Sequence, residues 1–151
     1  IKKIREEEIC LKLGVDMHFG VGGEKKIESS SNLTKNYLGE IEKRPWGNYH
    51  IIARNLGYQI KEIKVSVNSK LSLQKHNYRA EFWQIIKGKC KVTVGDKQQE
   101  LNDNDHIYIP KDTFHRIENI GGDELIFVEI QLGHDIKEDD IIRIEDDYGR
   151  V

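Results

Sequence analysis

The sequence contains no apolar run of membrane-spanning length and no segment with the features of a secretory signal. It also lacks an excess of charge, because 24 basic and 26 acidic residues leave a formal net charge of −2. A nearly neutral chain gives no support to a binder of nucleic acid or another polyanion. These absences predict a cytoplasmic protein with neither a membrane nor a nucleic-acid partner.

Cysteine is scarce, with Cys10 and Cys90 as the only two in 151 residues. The two lie far apart, in segments of different character. Cys90 alternates with Val92 and Val94, which is the pattern of a buried strand face. We therefore predict that Cys90 is an inert core thiol.

The first 43 residues differ in character from the rest. Ile4 to Leu11 predict one short amphipathic helix. The run GVGG at 20–23 lacks the Gly-Lys-Ser/Thr that ends a phosphate-binding loop, which argues against a nucleotide site. The chain begins with Ile1 rather than Met, which suggests a piece of something longer. Because the character of the sequence changes at Arg44, we expect residues 1–43 to be an N-terminal extension or the tail of an upstream domain, followed by one domain over 44–151.

The remaining chain consists of short apolar or alternating runs separated by turns. Between Tyr58 and Val67, the residues Ile63, Val65 and Val67 alternate with polar ones, which is the period of a half-buried strand. A nearly continuous apolar strand is predicted at Glu124 to Ile130. Short strands with no convincing helix predict an all-β sandwich or barrel.

The stretch Leu71 to Gly88, reading LSLQKHNYRAEFWQIIKG, concentrates polar side chains next to an apolar strand. It contains His76 and Glu81, and His115 follows in a second short segment of similar character. One imidazole, a nearby carboxylate and a distant second imidazole are what a mononuclear divalent-metal site needs.

The spacing also makes a geometric prediction. Alternate side chains of an extended chain share a face, so Gln74, His76 and Tyr78 are expected to point the same way. Glu81 reaches the same space if the chain bends at Asn77 to Ala80.

Two blocks resemble the paired motifs of cupins, at 71–96 and 107–119 (IYIPKDTFHRIEN). More narrowly, the chain resembles type II phosphomannose isomerases, found alone or as the C-terminal half of mannose-1-phosphate guanylyltransferases. That resemblance also rests on RPWGNYHII at 44–52, LIFVEIQLG at 125–133 and EDDIIRIEDDYGR at 138–150. It implies an all-β cupin fold, a double-stranded β-helix or jelly-roll barrel. It also implies an isomerase of mannose 6-phosphate and fructose 6-phosphate that serves GDP-mannose and polysaccharide biosynthesis.

The resemblance implies one bound divalent metal ion. Cupins usually carry His-x-His followed by Glu, but Tyr78 stands at the second histidine here; type I isomerases use Gln-x-His instead, which Gln74 and His76 match. The implied ligands are Gln74, His76, Glu81 and His115. The mixed nitrogen and oxygen set favours zinc and also suits Fe, Mn, Ni or Co. The alternative is that Gln74 and His76 only satisfy each other in a polar barrel mouth.

The implied reaction needs a base near C2 and cations for the phosphate, for which arginine is well shaped. The residues alone leave the base open among Lys75, Lys91, Asp146 and Tyr148. The family tail is expected to fold back over the barrel mouth. The implied catalytic residues are Arg79, Arg143, Asp146 and Tyr148. The implied substrate-binding residues are Arg79, Lys75, Arg143 and Arg150.

Three positions depart from the family pattern, namely Phe82, Asp112 and Lys137. Asp112 replaces a glycine, so a backbone with positive φ is expected to cost more there. Such departures indicate a divergent member whose substrate could be another hexose or heptose phosphate.

Two other functions compete with the isomerase: a non-catalytic cupin that binds a sugar phosphate or sugar nucleotide beside a nucleotidyltransferase, and another sugar enzyme such as an epimerase. A homodimer is expected, with Trp46 and Tyr49 as an exposed aromatic pair available to the interface.

Overall fold

A computed structural model describes residues 13–14, 41–134, 136–137 and 139–150. The chain divides into two units, Ile1–Leu33 and Thr34–Val151, and nearly all described residues belong to the second. The predicted helix at Ile4 to Leu11, the thiol of Cys10 and the run GVGG lie outside the described residues. The domain boundary after residue 43 stays a prediction.

Eleven strands form the described part of the second unit, and no helix occurs among its described residues. The strands are β1 (Glu42–Arg44), β2 (Gly47–Asn55), β3 (Tyr58–Val65), β4 (Leu73–Lys75), β5 (Ala80–Lys87), β6 (Cys90–Val94), β7 (Lys97–Leu101), β8 (His106–Ile109), β9 (His115–Asn119), β10 (Leu125–Leu132) and β11 (Ile142–Glu145). The all-β prediction is confirmed. Among the residues that the structure describes, no helix is long and apolar enough to cross a membrane.

The strands form two antiparallel sheets. One has the order β1-β2-β3-β10-β5-β8 and the other β11-β4-β9-β6-β7. Because β4 pairs with both β9 and β11, three segments that are distant in sequence become neighbours. Buried apolar side chains of both sheets form one core cluster.

The buried face of the first sheet changes from apolar to polar along its central strands. In β3, Ile63 and Val65 are buried near one end, whereas Gln59 and Lys61 are buried near the other. The strand register pairs polar residues with polar residues and apolar residues with apolar ones. The pairs are Gln59 with Gln131, Gln131 with Glu81, Lys61 with Glu129, and Ile63 with Phe127. The apolar end stabilises the fold by excluding water, and the polar end collects groups that need partners.

The predicted bend after β4 is present at Asn77 and Tyr78. Gly133 packs against it so closely that a Cβ atom there would lie 2.5 Å from the backbone oxygen of Tyr78. The prediction that Tyr78 points with Gln74 and His76 is wrong, because the chain turns before Tyr78 and leaves it 63% exposed.

Two turns use a left-handed backbone without glycine. Asn68 has φ of 58°, in the turn after β3, and Val67 before it is exposed because the strand ends at Val65. Asp112 has φ of 56°, which bears out the expectation of a strained turn. Its backbone N–H donates to the carbonyl oxygen of His76 at 2.7 Å. The Asp112 turn is thereby tied to the site.

The expectation of an exposed aromatic pair is wrong. Trp46 and Tyr49 are buried, and their rings stack at 6.5 Å between centroids. They belong to the core cluster, because the inward face of β2 and of the turn before it packs against the other buried apolar side chains. The homodimer stays a prediction, and it would need a different surface.

Cys90 is fully buried with its Sγ atom facing the backbone oxygen of Leu101, so the predicted core thiol is confirmed. Burial raises the pKa of Cys90 to about 12. In a Cys10→Ser variant, we expect Cys90 to react with a thiol reagent at least ~100-fold more slowly in the native state than in denaturant, because the thiolate is the nucleophile. Equal rates in the two states would contradict this burial.

Candidate metal centre

Three titratable side chains meet at the polar end of the barrel. His76 follows β4, Glu81 lies in β5 and His115 begins β9, and one ligand atom from each lies within 4.8 Å of the others. The Nε2 atom of His76 is 3.1 Å from Glu81 Oε1, and that of His115 is 3.5 Å from Glu81 Oε2. All three side chains are almost fully buried. The triad predicted from the sequence is therefore assembled by the fold.

Backbone carbonyl groups set the protonation of both imidazoles. The Nδ1–H of His76 donates to the oxygen of Asp140 at 2.5 Å, and that of His115 donates to the oxygen of Thr113 at 2.8 Å. A carbonyl oxygen can only accept, so Nε2 carries the lone pair in each neutral ring. Metal-ligating histidines are held in this way.

The buried Nε2 of His115 has no hydrogen-bond partner, although it faces Glu81. A buried polar atom without a partner is unfavourable unless something binds it. Two nitrogen lone pairs and one carboxylate aimed at a common space match the donor set of a divalent metal site. The residues present thus fit the metal that the sequence predicts.

The electrostatics of the triad are dominated by opposite charge. Burial raises the pKa of Glu81, but the neighbouring imidazole groups of His115 and His76 outweigh burial and hold it well below its usual range. Burial lowers the pKa of His115, but the nearby carboxylate of Glu81 outweighs burial and raises it. The carboxylate therefore stays ionised and can serve as an anionic ligand.

Arg79 is buried beside the triad. Its Nε donates to Glu81 Oε1 at 3.2 Å, its Nη1 to the oxygen of Lys137 at 2.7 Å, and its Nη2 to His76 Nε2 at 3.3 Å. Such contacts orient the Glu81 carboxylate. The structure thus places this predicted substrate-binding residue against the ligands as well as on the cavity wall.

Gln74 lies directly beside the triad. It is the register partner of His115 and lines the cavity, and its Oε1 accepts from Ser72 at 2.9 Å. The hydrogen bonds of Gln74 and His76 run to different partners, so the alternative that they satisfy each other does not hold. Coordination by Gln74 stays a prediction.

A cavity of about 200 Å³ opens next to the triad. Cationic side chains outnumber acidic ones on its wall, which favours an anionic ligand. The cations are Arg44, Lys61, Arg79, Arg143 and Arg150, and the carboxylates are Glu81 and Glu129.

The C-terminal segment brings two of these cations to the cavity. In β11, Arg143 is the register partner of Gln74, and Arg150 follows on the same wall. The Nε–H of Arg150 donates to Asp146 Oδ2 at 3.0 Å, and the hydrogen bonds from Arg150 lower the pKa of Asp146 to about 2. The hydroxyl group of Tyr148 donates to the oxygen of Lys70 at 3.2 Å. Asp146 and Tyr148 thus support the segment and are not among the residues lining the cavity.

The structure does not bring every predicted candidate to the cavity. Lys75, proposed to bind substrate, pairs with Asp112 at the surface turn. Lys91, an open candidate for the base, pairs with Glu118 on the outer face of the second sheet. Neither side chain lines the cavity.

Two residues of the polar end, Lys61 and Glu129, were not predicted from the sequence. Glu129 accepts from Trp83 Nε1 at 3.1 Å and from Gln131 Nε2 at 2.7 Å. Burial, with the negative charge of Glu81, raises its pKa to about 7. The alternation of side chains along the strands could have identified both residues. Lys61 shares the buried face of β3 with Ile63, and Glu129 shares the buried face of β10 with Phe127.

Comparisons with known proteins place this geometry in a family. Residues 32–146 match the family model described as "Mannose-6-phosphate isomerase C-terminal". Over 108 residues, 72% of this chain, the sequence is 42% identical to mannose-1-phosphate guanylyltransferase ManC of Salmonella typhimurium. It is 43% identical over an equal length to alginate biosynthesis protein AlgA of Pseudomonas aeruginosa. The matched region spans only 22% of the length of each of these relatives.

Solved structures agree on the fold. The Cnp3 cupin domain of Schizosaccharomyces pombe aligns with a TM-score of 0.54 at 14% identity, covering 57% of this chain and 60% of that one. The fold is thus the cupin double-stranded β-helix. The match over residues 32–146 covers well over half of the sequence. The chain therefore belongs to the mannose-6-phosphate isomerase C-terminal family, which in this chain has the cupin fold.

Proposed function

We propose that this chain is a metal-dependent aldose–ketose isomerase that interconverts mannose 6-phosphate and fructose 6-phosphate. One observation carries the proposal: a buried triad with metal-ligand geometry borders a cavity lined by five cationic side chains. A phosphorylated sugar offers hydroxyl oxygens to a metal held by the triad and a phosphate to the cationic side chains of the cavity. Membership of the family supports the same substrate, and the relatives' names support a place in GDP-mannose and polysaccharide biosynthesis.

The metal would be held by His76, Glu81 and His115, with Gln74 as the fourth ligand, and zinc suits this set. When bound, a divalent cation supplies Lewis acidity, which stabilises negative charge developing on the sugar as a proton leaves carbon. Arg79 holds the carboxylate of Glu81 in place throughout.

Arg143 and Arg150 would bind the phosphate of the substrate, and Arg44 lies on the same wall of the cavity. Planar guanidinium groups can bind phosphate oxygens in pairs and fix the orientation of the sugar. Asp146 holds Arg150 and so limits its rotamer freedom before the substrate arrives.

Glu129 is the proposed acid–base residue. It lines the cavity within the polar end of the barrel and is the register partner of Lys61. Its carboxylate takes the proton from C2 of the aldose and returns it to C1, while the hydroxyl proton of O2 passes to O1; the reverse reaction uses the same group. A pKa near 7 suits both halves of this transfer.

The direct test is a coupled assay of fructose 6-phosphate formation from mannose 6-phosphate, with and without a chelator. We expect turnover that a chelator abolishes, that a divalent metal restores, and that a His76→Ala variant lacks. His106→Ala removes an exposed histidine from the outer sheet face and should match the wild type. Turnover that persists after the metal is removed, or in His76→Ala, would contradict the proposal.

A second function is favoured by one observation: Arg79 already neutralises Glu81 without a metal. A non-catalytic cupin that binds sugar phosphate beside a nucleotidyltransferase would use the same cations. Folded, metal-loaded protein that does not turn over mannose 6-phosphate, yet unfolds at a higher temperature in its presence, would favour this alternative.

A further inference from the structure

The bend that carries His76 is fastened to one segment of the C-terminal tail, residues 137–140. Four successive residues, 76–79, each bond to this segment. The contacts are His76 Nδ1 with the Asp140 oxygen, the backbone N–H groups of Asn77 and Tyr78 with the Asp140 carboxylate, and Arg79 Nη1 with the Lys137 oxygen.

Asp140 makes three of these four contacts and is itself 92% buried, since its relative exposure is 8%. Its Oδ1 accepts from Asn77 and its Oδ2 from Tyr78, each at 3.0 Å. These bonds hold the residue in one position relative to the bend. Its carbonyl oxygen is thereby held in place against the ring of His76.

The consequence for His76 is specific. With Nδ1 donating to Asp140, the Nε2 lone pair faces Glu81, 3.1 Å away. If the contact were lost, the ring could rotate or change tautomer, and either change would take the lone pair away from the site.

We propose that Asp140 is a positioning residue of the metal centre, which holds His76 in the tautomer and orientation that bind the metal. This inference deepens the proposed function and rests on its metal site. The same segment leads directly into β11, which carries Arg143 to the cavity wall. Asp140 therefore links the metal end of the site to the phosphate end.

The test is the affinity of the full chain for Zn²⁺ alone, measured by competition with a chromophoric chelator and without a histidine tag. We expect Asp140→Ala to weaken binding by ~10–100-fold, the loss typical of an outer-shell partner. Asp140→Asn keeps one acceptor oxygen and should lose about 3–10-fold, the loss expected for one hydrogen bond. The visible absorption of bound Co²⁺ should change in both variants, because it reports ligand geometry.

Asp139→Asn is the matched control, since Asp139 is the exposed neighbour in the same segment. It should bind Zn²⁺ like the wild type. Folding is checked by circular dichroism; if Asp140→Ala does not fold, Asp140→Asn decides. A folded variant that binds Zn²⁺ within about twofold of the wild type, with an unchanged Co²⁺ spectrum, would overturn the role of Asp140.

The readout needs no sugar, so it separates this inference from the isomerase. If the Asp140 variants bind Zn²⁺ more weakly but the wild type does not turn over mannose 6-phosphate, the role of Asp140 would be supported and the isomerase proposal contradicted. Unchanged binding in an active enzyme would do the reverse. A wild type that binds no Zn²⁺ would overturn the metal centre and this role together.

Discussion

Glu81→Gln is expected to abolish isomerase turnover and to weaken metal binding by more than the ~10–100-fold typical of an outer-shell substitution. The substitution keeps the shape of the side chain and removes the only carboxylate of the triad. A neutral amide is a poorer ligand for a divalent cation than an ionised carboxylate. The measurements are the coupled assay and Zn²⁺ competition.

The same change should destabilise the metal-free protein. Arg79 is 2% exposed, and its Nε donates to Glu81, so removing the carboxylate leaves a buried guanidinium group without its counter-charge. Breaking a buried pair in this way typically costs about 3–5 kcal/mol of unfolding free energy. Urea unfolding in the presence of a chelator measures this cost directly.

Glu118→Gln is the control for Glu81→Gln, because Glu118 on β9 makes a partly exposed ion pair with Lys91 on β6. Surface pairs contribute about 0–1 kcal/mol, so this variant should bind metal and turn over substrate like the wild type. Retained metal affinity in Glu81→Gln would show that the triad is not a metal site.

Glu129→Gln is expected to lower kcat by ~10²–10⁴-fold while leaving Zn²⁺ affinity nearly unchanged, since general acid–base catalysis contributes about this factor. The amide can still accept from Trp83 and so occupies the same space, but it cannot take up a proton from carbon. Glu62→Gln is the matched control, because Glu62 lies on the opposite face of the same sheet and contacts His50 and Lys64.

The pH profile gives a second readout for Glu129. Burial and the charge of Glu81 raise its pKa to about 7, and a base acts only when deprotonated. Wild-type kcat/KM should therefore rise with pH and level off above about 7, or lower where bound metal adds positive charge. Glu129→Gln should lose this acidic limb. A full-rate Glu129→Gln enzyme with an unchanged profile would assign the base elsewhere.

Local patterns in the sequence were enough to predict the all-β class and the triad. Strand periodicity is a property of neighbouring residues, and His76 with Glu81 lies in one motif. His115 belongs to the second motif of the pair, so the resemblance located it without coordinates. The bend at Asn77 was predicted from the spacing of His76 and Glu81, but the predicted direction of Tyr78 was wrong, because the chain turns before it.

Burial and long-range pairing were decided only by the tertiary structure. The apolar run around Glu129 predicts a strand, but only the packing of the two sheets puts this carboxylate at the polar end of the barrel. Trp46 was predicted to be an exposed aromatic residue, but in the folded domain it is buried in the core cluster. Asp140 lies 64 residues from His76, and no local pattern connects a side chain to a ring at that distance. The sequence by itself thus determined which candidate metal ligands are present, whereas the fold decided which groups orient them, because orientation depends on contacts between segments far apart in the chain.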